Sequence, residues 1–306
     1  MIDMLIERIK TCDNPTAVGL DTCLDYLPDA DKKACKTLQD AAKAITQFNY
    51  ALIDRLHALV PAVKVQVAYY EMYGVAGMQA FADTLAYAKQ KGLFTIADCK
   101  RNDIGSTAAC YSAAYLGGVT VGEQTFAPFT ADFLTVNGYL GTDGLDPFTA
   151  DCKKYDKGIF ALVKTSNPSS GQLQDQIMQD GKTLYEHMAR IVTEAGADRI
   201  GRYGYSDVGA VIGATHPAQA EKVRNEFPSL FFLIPGYGAQ GGSADGLAVC
   251  FDRHGLGGIV NNSRGILCAY KKDAYKGQTF AQAAENAVIA MREDINAALR
   301  RAGKRG

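Results

Sequence analysis

The residues best suited to chemistry form one short run, Asp98-Cys99-Lys100-Arg101-Asn102-Asp103. The run ends an apolar stretch that begins at Phe94 and has the composition of a buried β-strand. Side chains alternate along a strand, so Asp98 and Lys100 lie on the same side, and Asp103 follows in the turn. A carboxylate, an ammonium group and a second carboxylate would then surround one point, where a protonated lysine can act as a general acid.

A second lysine, Lys64, occurs in the neighbouring predicted strand and would reach the same point. Alternating charges would keep such a lysine protonated, although burial by itself favours the neutral form. The alternative is a surface ion-pair cluster, because charges three to five residues apart are common. Since the run ends an apolar strand, and two other predicted strands also end in charged residues, we favour a functional cluster.

These charges need a scaffold, and the chain shows a repeated pattern of an apolar run, a polar or glycine-rich turn and a stretch with helical periodicity. The predicted strands are Ala17–Asp21, Ala62–Gln66, Phe94–Lys100, Phe133–Asn137, Ile159–Lys164, Val208–Ala214, Phe231–Pro235 and Gly257–Asn261. Eight apolar strands with intervening helices predict the α/β class and a (β/α)8 TIM barrel, with insertions after strands 1, 4 and 5. An open doubly wound sheet is the structural alternative.

The length of 306 residues and the 47% hydrophobic composition suit one barrel, so we predict a single domain over residues 1–306. Two smaller domains also fit the length. Helical spacing predicts helices over Lys36–Leu59, Gly77–Lys91 and Thr279–Arg301, followed by a frayed basic tail over Gly303–Gly306. The long segment Ser166–Tyr205 is a candidate lid.

The overall charge indicates a small-molecule partner, because 32 Lys and Arg nearly balance 33 Asp and Glu. We therefore expect no binding to nucleic acid or to a membrane surface. Neither a signal peptide nor a membrane span is predicted. The eight cysteines lack zinc-site spacing and the four histidines are far apart, which predicts reduced thiols, a cytoplasmic location and no metal site.

Two segments near the C-terminus have the composition of a phosphate site. Pro235–Gly242 is rich in glycine and follows predicted strand seven, and Asn262-Ser263-Arg264 follows strand eight. Glycine lets backbone N–H groups approach an anion, arginine offers paired donors, and loops at these two places commonly hold phosphate in barrels. Residues 236–241 also match G-x-G-x-x-G, but no βαβ unit or acidic ribose ligand follows, so a dinucleotide site is less well supported.

In combination these motifs resemble the orotidine 5′-phosphate decarboxylase family, specifically its bacterial-type second subfamily. The matching residues cover most of the chain and are Gly19-Leu20-Asp21, Lys64, Asp98-Cys99-Lys100-Arg101-Asn102-Asp103-Ile104, Thr165-Ser166-Asn167-Pro168, Pro235-Gly236-Tyr237-Gly238-Ala239-Gln240 and Ser263-Arg264. The resemblance implies decarboxylation of orotidine 5′-monophosphate (OMP) to UMP and carbon dioxide in pyrimidine biosynthesis. It also implies that the reaction needs neither a metal nor an organic cofactor.

The resemblance further implies a role for each matching residue. Lys100 corresponds to the proton donor for C6, Asp98 to the carboxylate beside the substrate's carboxyl group, and Lys64 to a lysine that joins their charge network and contacts the ribose. Asp103 and Thr107 correspond to residues that reach the neighbouring subunit's site, which implies a homodimer with shared active sites. The implied substrate-binding residues are Asp21 at the ribose, Ser166 at the pyrimidine, Gln240 and Arg264 at the phosphate, and Pro235 and Thr107.

Two other functions remain as alternatives, one enzymatic and one without catalysis. A sugar-phosphate decarboxylase or aldolase of the same barrel group would carry an acidic magnesium ligand on strand two, where this chain has Lys64. A nucleotide-binding barrel without catalysis would have no need of an acid at the reacting carbon. The combination of Lys64 with Asp98 and Lys100 therefore favours OMP decarboxylation over both alternatives.

Overall fold

The computed structural model describes residues 1–238 and 242–305, and its central feature is a closed barrel of parallel strands. The barrel strands are β1 Thr16–Gly19, β2 Ala62–Gln66, β3 Phe94–Arg101, β6 Phe133–Val136, β7 Gly158–Lys164, β8 Ser206–Ile212, β9 Leu230–Ile234 and β10 Gly258–Asn262. Two further strands, β4 Val119–Val121 and β5 Gln124–Phe126, form an antiparallel hairpin outside the barrel.

Pairing between the first and last strands closes the barrel. Thr16 of β1 pairs with Val260 of β10, while Gly19 of β1 pairs with Lys64 of β2 on the other side. This closure confirms the predicted TIM barrel and excludes the open doubly wound sheet. All eight predicted strands are present, and their ends differ from the prediction by at most two residues.

The helices surround the barrel. They are α1 Ile2–Cys12, α2 Asp29–Ala34, α3 Leu38–Leu56, α4 Ala68–Glu71, α5 Gly74–Gln90, α6 Gly105–Tyr115, α7 Asp146–Tyr155, α8 Leu184–Ala195, α9 Pro217–Glu226, α10 Ala244–Leu247, α11 Arg264–Leu267 and α12 Phe280–Arg301. The three predicted helices are thus confirmed as α3, α5 and α12. Capping boxes begin α3 at Thr37 and α12 at Thr279, which satisfies backbone N–H groups that a helix start leaves free.

None of the helices within the described residues is long and apolar enough to cross a membrane.

Helix α1, which was not predicted from the sequence, closes the N-terminal end of the barrel. Its buried residues Ile2, Leu5, Ile6 and Ile9 belong to one apolar cluster with the inward-facing side chains of the strands. The strand members of that cluster include Ala17, Ala62, Ile96, Phe133, Phe160, Phe231 and Ile259. Because this end is filled, a ligand has access to the barrel from the C-terminal ends of the strands.

The prediction of a frayed C-terminal tail is wrong for the described residues 303–305. The Lys304 ammonium donates hydrogen bonds to the carbonyl oxygens of Ala248 at 2.9 Å and Phe251 at 2.6 Å. Arg305 forms an ion pair with Asp13, which ends α1 in a left-handed conformation. Backbone carbonyls that need a donor, and a carboxylate at a helix end, therefore hold the basic tail in place.

We predict that α1 stabilises the barrel without taking part in its chemistry. Substituting Ile6→Ala would leave a cavity beneath the strands and lower the free energy of unfolding by about 2 to 5 kcal/mol, measured by urea denaturation. Met4→Ala on the exposed side of the same helix is the matched control and should change stability little. Equal effects of the two substitutions would contradict the packing described for α1.

Candidate active site

A cavity of about 630 Å³ lies at the C-terminal ends of the barrel strands. One wall is apolar and is formed by Leu162 of β7, Val211 of β8 and Leu233 of β9. The wall across the barrel from it is polar and includes Asp21, Lys64, Gln66, Asp98, Lys100 and Thr135. The mouth of the barrel thus offers a ligand one apolar side and one charged side.

Asp98 is the centre of the charged side, and four side chains donate hydrogen bonds to its carboxylate. Lys100 Nζ at 2.6 Å and Thr135 Oγ1 at 2.8 Å bind its Oδ1 atom. Lys64 Nζ and Gln66 Nε2, each at 2.8 Å, bind its Oδ2 atom. Both carboxylate oxygens are therefore satisfied, and the geometry of the pair with Lys100 is fixed from both sides.

Lys64 links Asp98 to a second carboxylate, since its Nζ atom also donates to Asp21 Oδ1 at 3.1 Å. Burial alone would lower the pKa of Lys64, but the two carboxylates outweigh it and raise that pKa above its ordinary value. Burial pushes the pKa of Asp98 upward, yet Lys64 and Lys100 hold it well below the usual range. The sequence-based expectation of a buried, protonated lysine among carboxylates agrees with this arrangement.

Lys100 faces the cavity at a point where the strand becomes irregular. Its φ angle of 49° lies in the left-handed region, which costs a non-glycine residue roughly 1 kcal/mol or more. The pairing of β3 with β6 shifts register between Ala97 and Arg101, as in a β-bulge. At this position 44% of the Lys100 side chain is exposed, against 8% of that of its partner Asp98.

Thr135 of β6 supports this irregular backbone, although no sequence motif predicted it. Its hydroxyl accepts a hydrogen bond from Lys100 N at 3.0 Å while it donates to Asp98 Oδ1. Gln66, which also binds Asp98, was missed as well. Strand alternation would have identified Gln66, because it lies two residues after Lys64 on the same side of β2.

The segment after β7 borders the cavity and is tied to the barrel. The fully buried Lys164 side chain forms an ion pair with Asp175 at 2.8 Å, and Gln174 Oε1 accepts a hydrogen bond from Thr165 N at 2.9 Å. Ser166, predicted at the pyrimidine, lines the cavity together with Gln174. The lid predicted over Ser166–Tyr205 is too long. Its residues 184–195 form α8, which packs on β7 and β8 of the barrel. Of this segment, the part before α8 reaches the cavity.

Some of the residues predicted near the phosphate line the cavity. Pro235 follows β9 and Arg264 begins α11, and both line the cavity. Gln240 lies outside the described residues, as does Gly241 of the G-x-G-x-x-G match. The next helix, α10, has only four residues, whereas a dinucleotide motif opens a βαβ helix.

Asp103 and Thr107 do not line the cavity of their own chain. The Asp103 carboxylate accepts a hydrogen bond from the backbone N of Ile104 at 2.8 Å, and Thr107 is exposed in the first turns of α6. Of the motif from Asp98 to Asp103, the structure therefore brings Asp98 and Lys100 into the site and leaves Asp103 outside it.

Comparison with known proteins gives matches along nearly the whole chain. Residues 31–276 match the model of the orotidine 5′-phosphate decarboxylase / HUMPS family. An orotidine 5′-phosphate decarboxylase of Rhodopirellula baltica is 44% identical over 286 residues, which are 92% of this chain and 93% of that protein. One of Clostridium acetobutylicum is 40% identical over 299 residues, 98% of this chain and 100% of the other. An OMP decarboxylase structure from Leishmania donovani has a TM-score of 0.73 at 29% identity and covers 98% of both chains.

The double role of Thr135 predicts that its hydroxyl stabilises the folded chain. Thr135→Val keeps the shape but leaves Lys100 N without its acceptor and Asp98 with one donor fewer, so we expect a loss of about 1 to 3 kcal/mol in unfolding free energy. Thr135→Ser retains the hydroxyl and should recover most of that loss. Urea denaturation measures both, and equal stability of the valine variant and the parent would contradict the assignment.

Proposed function

We propose that this chain, which belongs to the orotidine 5′-phosphate decarboxylase / HUMPS family, decarboxylates orotidine 5′-monophosphate to UMP and carbon dioxide in pyrimidine biosynthesis. The observation that carries the proposal is the buried Asp98 paired with a half-exposed Lys100 in a cavity with one apolar wall. The resemblance found in the sequence agrees with this family membership.

The proposed reaction breaks the bond between C6 of the pyrimidine and its carboxyl carbon. Carbon dioxide leaves without the bonding electron pair, which stays in an sp² orbital at C6. A fixed cation beside C6 stabilises this charge, and the Lys100 ammonium is the cation that faces the cavity. Lys100 then gives its proton to C6, which forms the C6–H bond of UMP, and the neutral amine takes up a proton from water.

Asp98 would act on the other reacting group. Its low pKa keeps it charged, so a substrate carboxylate placed beside it is repelled until carbon dioxide, which is neutral, departs. Lys64, Gln66 and Thr135 oppose any movement of Asp98 away from the substrate, because each holds one of its oxygens. The energy for bringing the two carboxylates together would come from binding the rest of the nucleotide.

The remaining lining residues suit the rest of OMP. The pyrimidine would lie against Leu162, Val211 and Leu233 with Ser166 at its edge. The ribose would contact the linked pair of Asp21 and Lys64. The phosphate would lie near Pro235 and Arg264, and Gln240 and Thr107 remain predicted ligands.

We propose that the reaction uses no metal and no organic cofactor. The matching family model covers the HUMPS group as well as the orotidine 5′-phosphate decarboxylases. The competing function, a magnesium-dependent sugar-phosphate decarboxylase or aldolase, would need an acidic metal ligand on the second barrel strand. Lys64 holds that place with its ammonium between Asp21 and Asp98, where it neutralises the carboxylates that would otherwise attract a cation.

We also propose a homodimer in which Asp103 and Thr107 complete the partner's site. Both lie outside their own cavity, in the same part of the chain as a set of exposed apolar side chains. These are Ile104, Val119, Val121, Phe126, Tyr139 and Leu140. Contact with a second copy would cover such a surface.

We further propose that residues 1–306 work as one domain in the cytoplasm, where the eight unpaired thiols stay reduced.

The first test is loss of OMP absorbance with purified protein in the presence of EDTA. We expect turnover by the parent protein, and a loss of at least about a thousandfold in kcat for Lys100→Ala. Lys33→Ala, on the exposed side of α2, is the matched control and should keep the parent rate. No turnover by the parent would overturn the function, and inhibition by EDTA would favour the magnesium-dependent rival.

The second test concerns the shared site. Lys100→Ala and Asp103→Ala should each be inactive alone, but a refolded equimolar mixture should recover about a quarter of the parent activity. Half of its dimers would be mixed, and each mixed dimer would hold one intact site of two. Mass spectrometry of the native mixture verifies that mixed dimers form, and their inactivity would show that Asp103 serves its own subunit.

A further inference from the structure

Gln174 lines the cavity together with Ser166, and both ends of its side-chain amide bind one other residue. Gln174 Oε1 accepts a hydrogen bond from the backbone N of Thr165 at 2.9 Å, and Gln174 Nε2 donates one to Thr165 Oγ1 at 2.8 Å. A backbone N–H can only donate, so this pair of bonds fixes which end of the amide is the carbonyl. Thr165 immediately precedes Ser166, the residue proposed at the pyrimidine edge.

Thr165 needs a partner of this kind because β7 ends just before it, at Lys164. The chain that follows β8 is still paired with β7 there, since Gly213 N donates to the carbonyl oxygen of Lys164 at 2.7 Å. One residue further on, Thr165 N binds the Gln174 amide in place of a strand carbonyl. A side chain therefore continues the hydrogen bonding of the sheet into the cavity wall.

Gln174 is itself held by a rigid element. Its backbone carbonyl oxygen accepts a hydrogen bond from Tyr185 N of α8 at 3.0 Å, and α8 packs on β7 and β8. The next residue, Asp175, forms the ion pair with the buried Lys164. Two consecutive residues at the end of β7 thus bind the side chains of two consecutive residues before α8, which closes the intervening segment into a loop with a fixed base.

Ser166 is the first residue of this loop, and the end of β8 bounds it on another side. Thr215 Oγ1 donates a hydrogen bond to the carbonyl oxygen of Ser166 at 3.2 Å. A Cβ atom on Gly213 would lie 2.8 Å from both Cα and N of Ser166, so the two backbones are in close contact. Contact with β8 therefore limits Ser166 directly, and Gln174 limits the residue before it.

We propose that Gln174 is a positioning residue, which keeps the Ser166 hydroxyl in place for the pyrimidine by holding Thr165 at its backbone N and its hydroxyl. This inference rests on the function proposed above. A serine hydroxyl forms a directional hydrogen bond, so a small displacement of Ser166 weakens its contact with the base. The residues proposed at the ribose and the phosphate belong to or follow β1, β2, β9 and β10, and Gln174 should not affect them.

The test compares inhibition of OMP turnover by UMP and by ribose 5-phosphate, which lacks the pyrimidine. The variant is Gln174→Met, a side chain of similar length that cannot replace the two hydrogen bonds. We expect its inhibition constant for UMP to rise about fivefold, as for the loss of one hydrogen bond, and that for ribose 5-phosphate to stay the same. Equal losses for both ligands, or no change for UMP, would overturn the proposal.

A double-mutant cycle tests whether Gln174 acts through Ser166. Ser166→Ala removes the hydroxyl, so adding Gln174→Met to that variant should change the UMP inhibition constant little. A purely structural role of Gln174 would give the same further loss with or without the serine hydroxyl. A further loss of about fivefold in the double variant would therefore overturn the proposal.

Two controls separate the causes of failure. Gln172→Met, at an exposed position of the same loop that does not line the cavity, should leave both inhibition constants unchanged. Gln174→Asn, whose amide is one methylene shorter, allows the same comparison if thermal unfolding shows that the methionine variant does not fold. Absence of turnover and of UMP binding in the parent would overturn the proposed function itself, whereas an active parent with equal losses for both ligands in the variant would overturn only the role of Gln174.

Discussion

The arrangement around Asp98 depends on one electrostatic constraint: a carboxylate removed from water must have its charge balanced and its oxygens satisfied. Isolated burial of such a group costs far more than a domain's net stability, so its partners must be present at fixed distances. Here the partners come from β2, β3 and β6, three strands that pair side by side in the barrel. The charge network therefore depends on the pairing of these three strands.

The backbone becomes irregular at Lys100, two residues after Asp98. Alternation already places both side chains on the inner side of β3, and at the shift in register Lys100 adopts a left-handed conformation in which its ammonium group is open to the cavity and still touches Asp98. Thr135 stabilises this conformation with a single hydroxyl that both donates and accepts. A ligand that fills the cavity against the apolar wall would exclude water and so strengthen the interaction of Lys100 with charge that develops on the ligand.

Much of this was predictable from sequence because the barrel strands are apolar and regularly spaced. Alternation was enough to place Asp98 and Lys100 together and to bring Lys64 to them. The contributions of Thr135 and Gln66 were missed because neither residue is charged and neither belongs to a conspicuous motif. The hairpin β4–β5 escaped because exposed strands of three residues have too few positions to show a period. The ordered tail at Lys304 depends on carbonyl groups more than fifty residues away, which no local pattern records.

The packing of α1 under the strands has a consequence for how molecules pass through the site. Phe133, Phe160 and Phe231 fill the interior below the cavity and α1 packs beneath them, so the described residues close the barrel at its N-terminal end. Carbon dioxide formed in the cavity would therefore leave toward the C-terminal ends of the strands, which is also the side from which the nucleotide enters. Carbon dioxide and UMP would therefore share one side of the barrel on their way out.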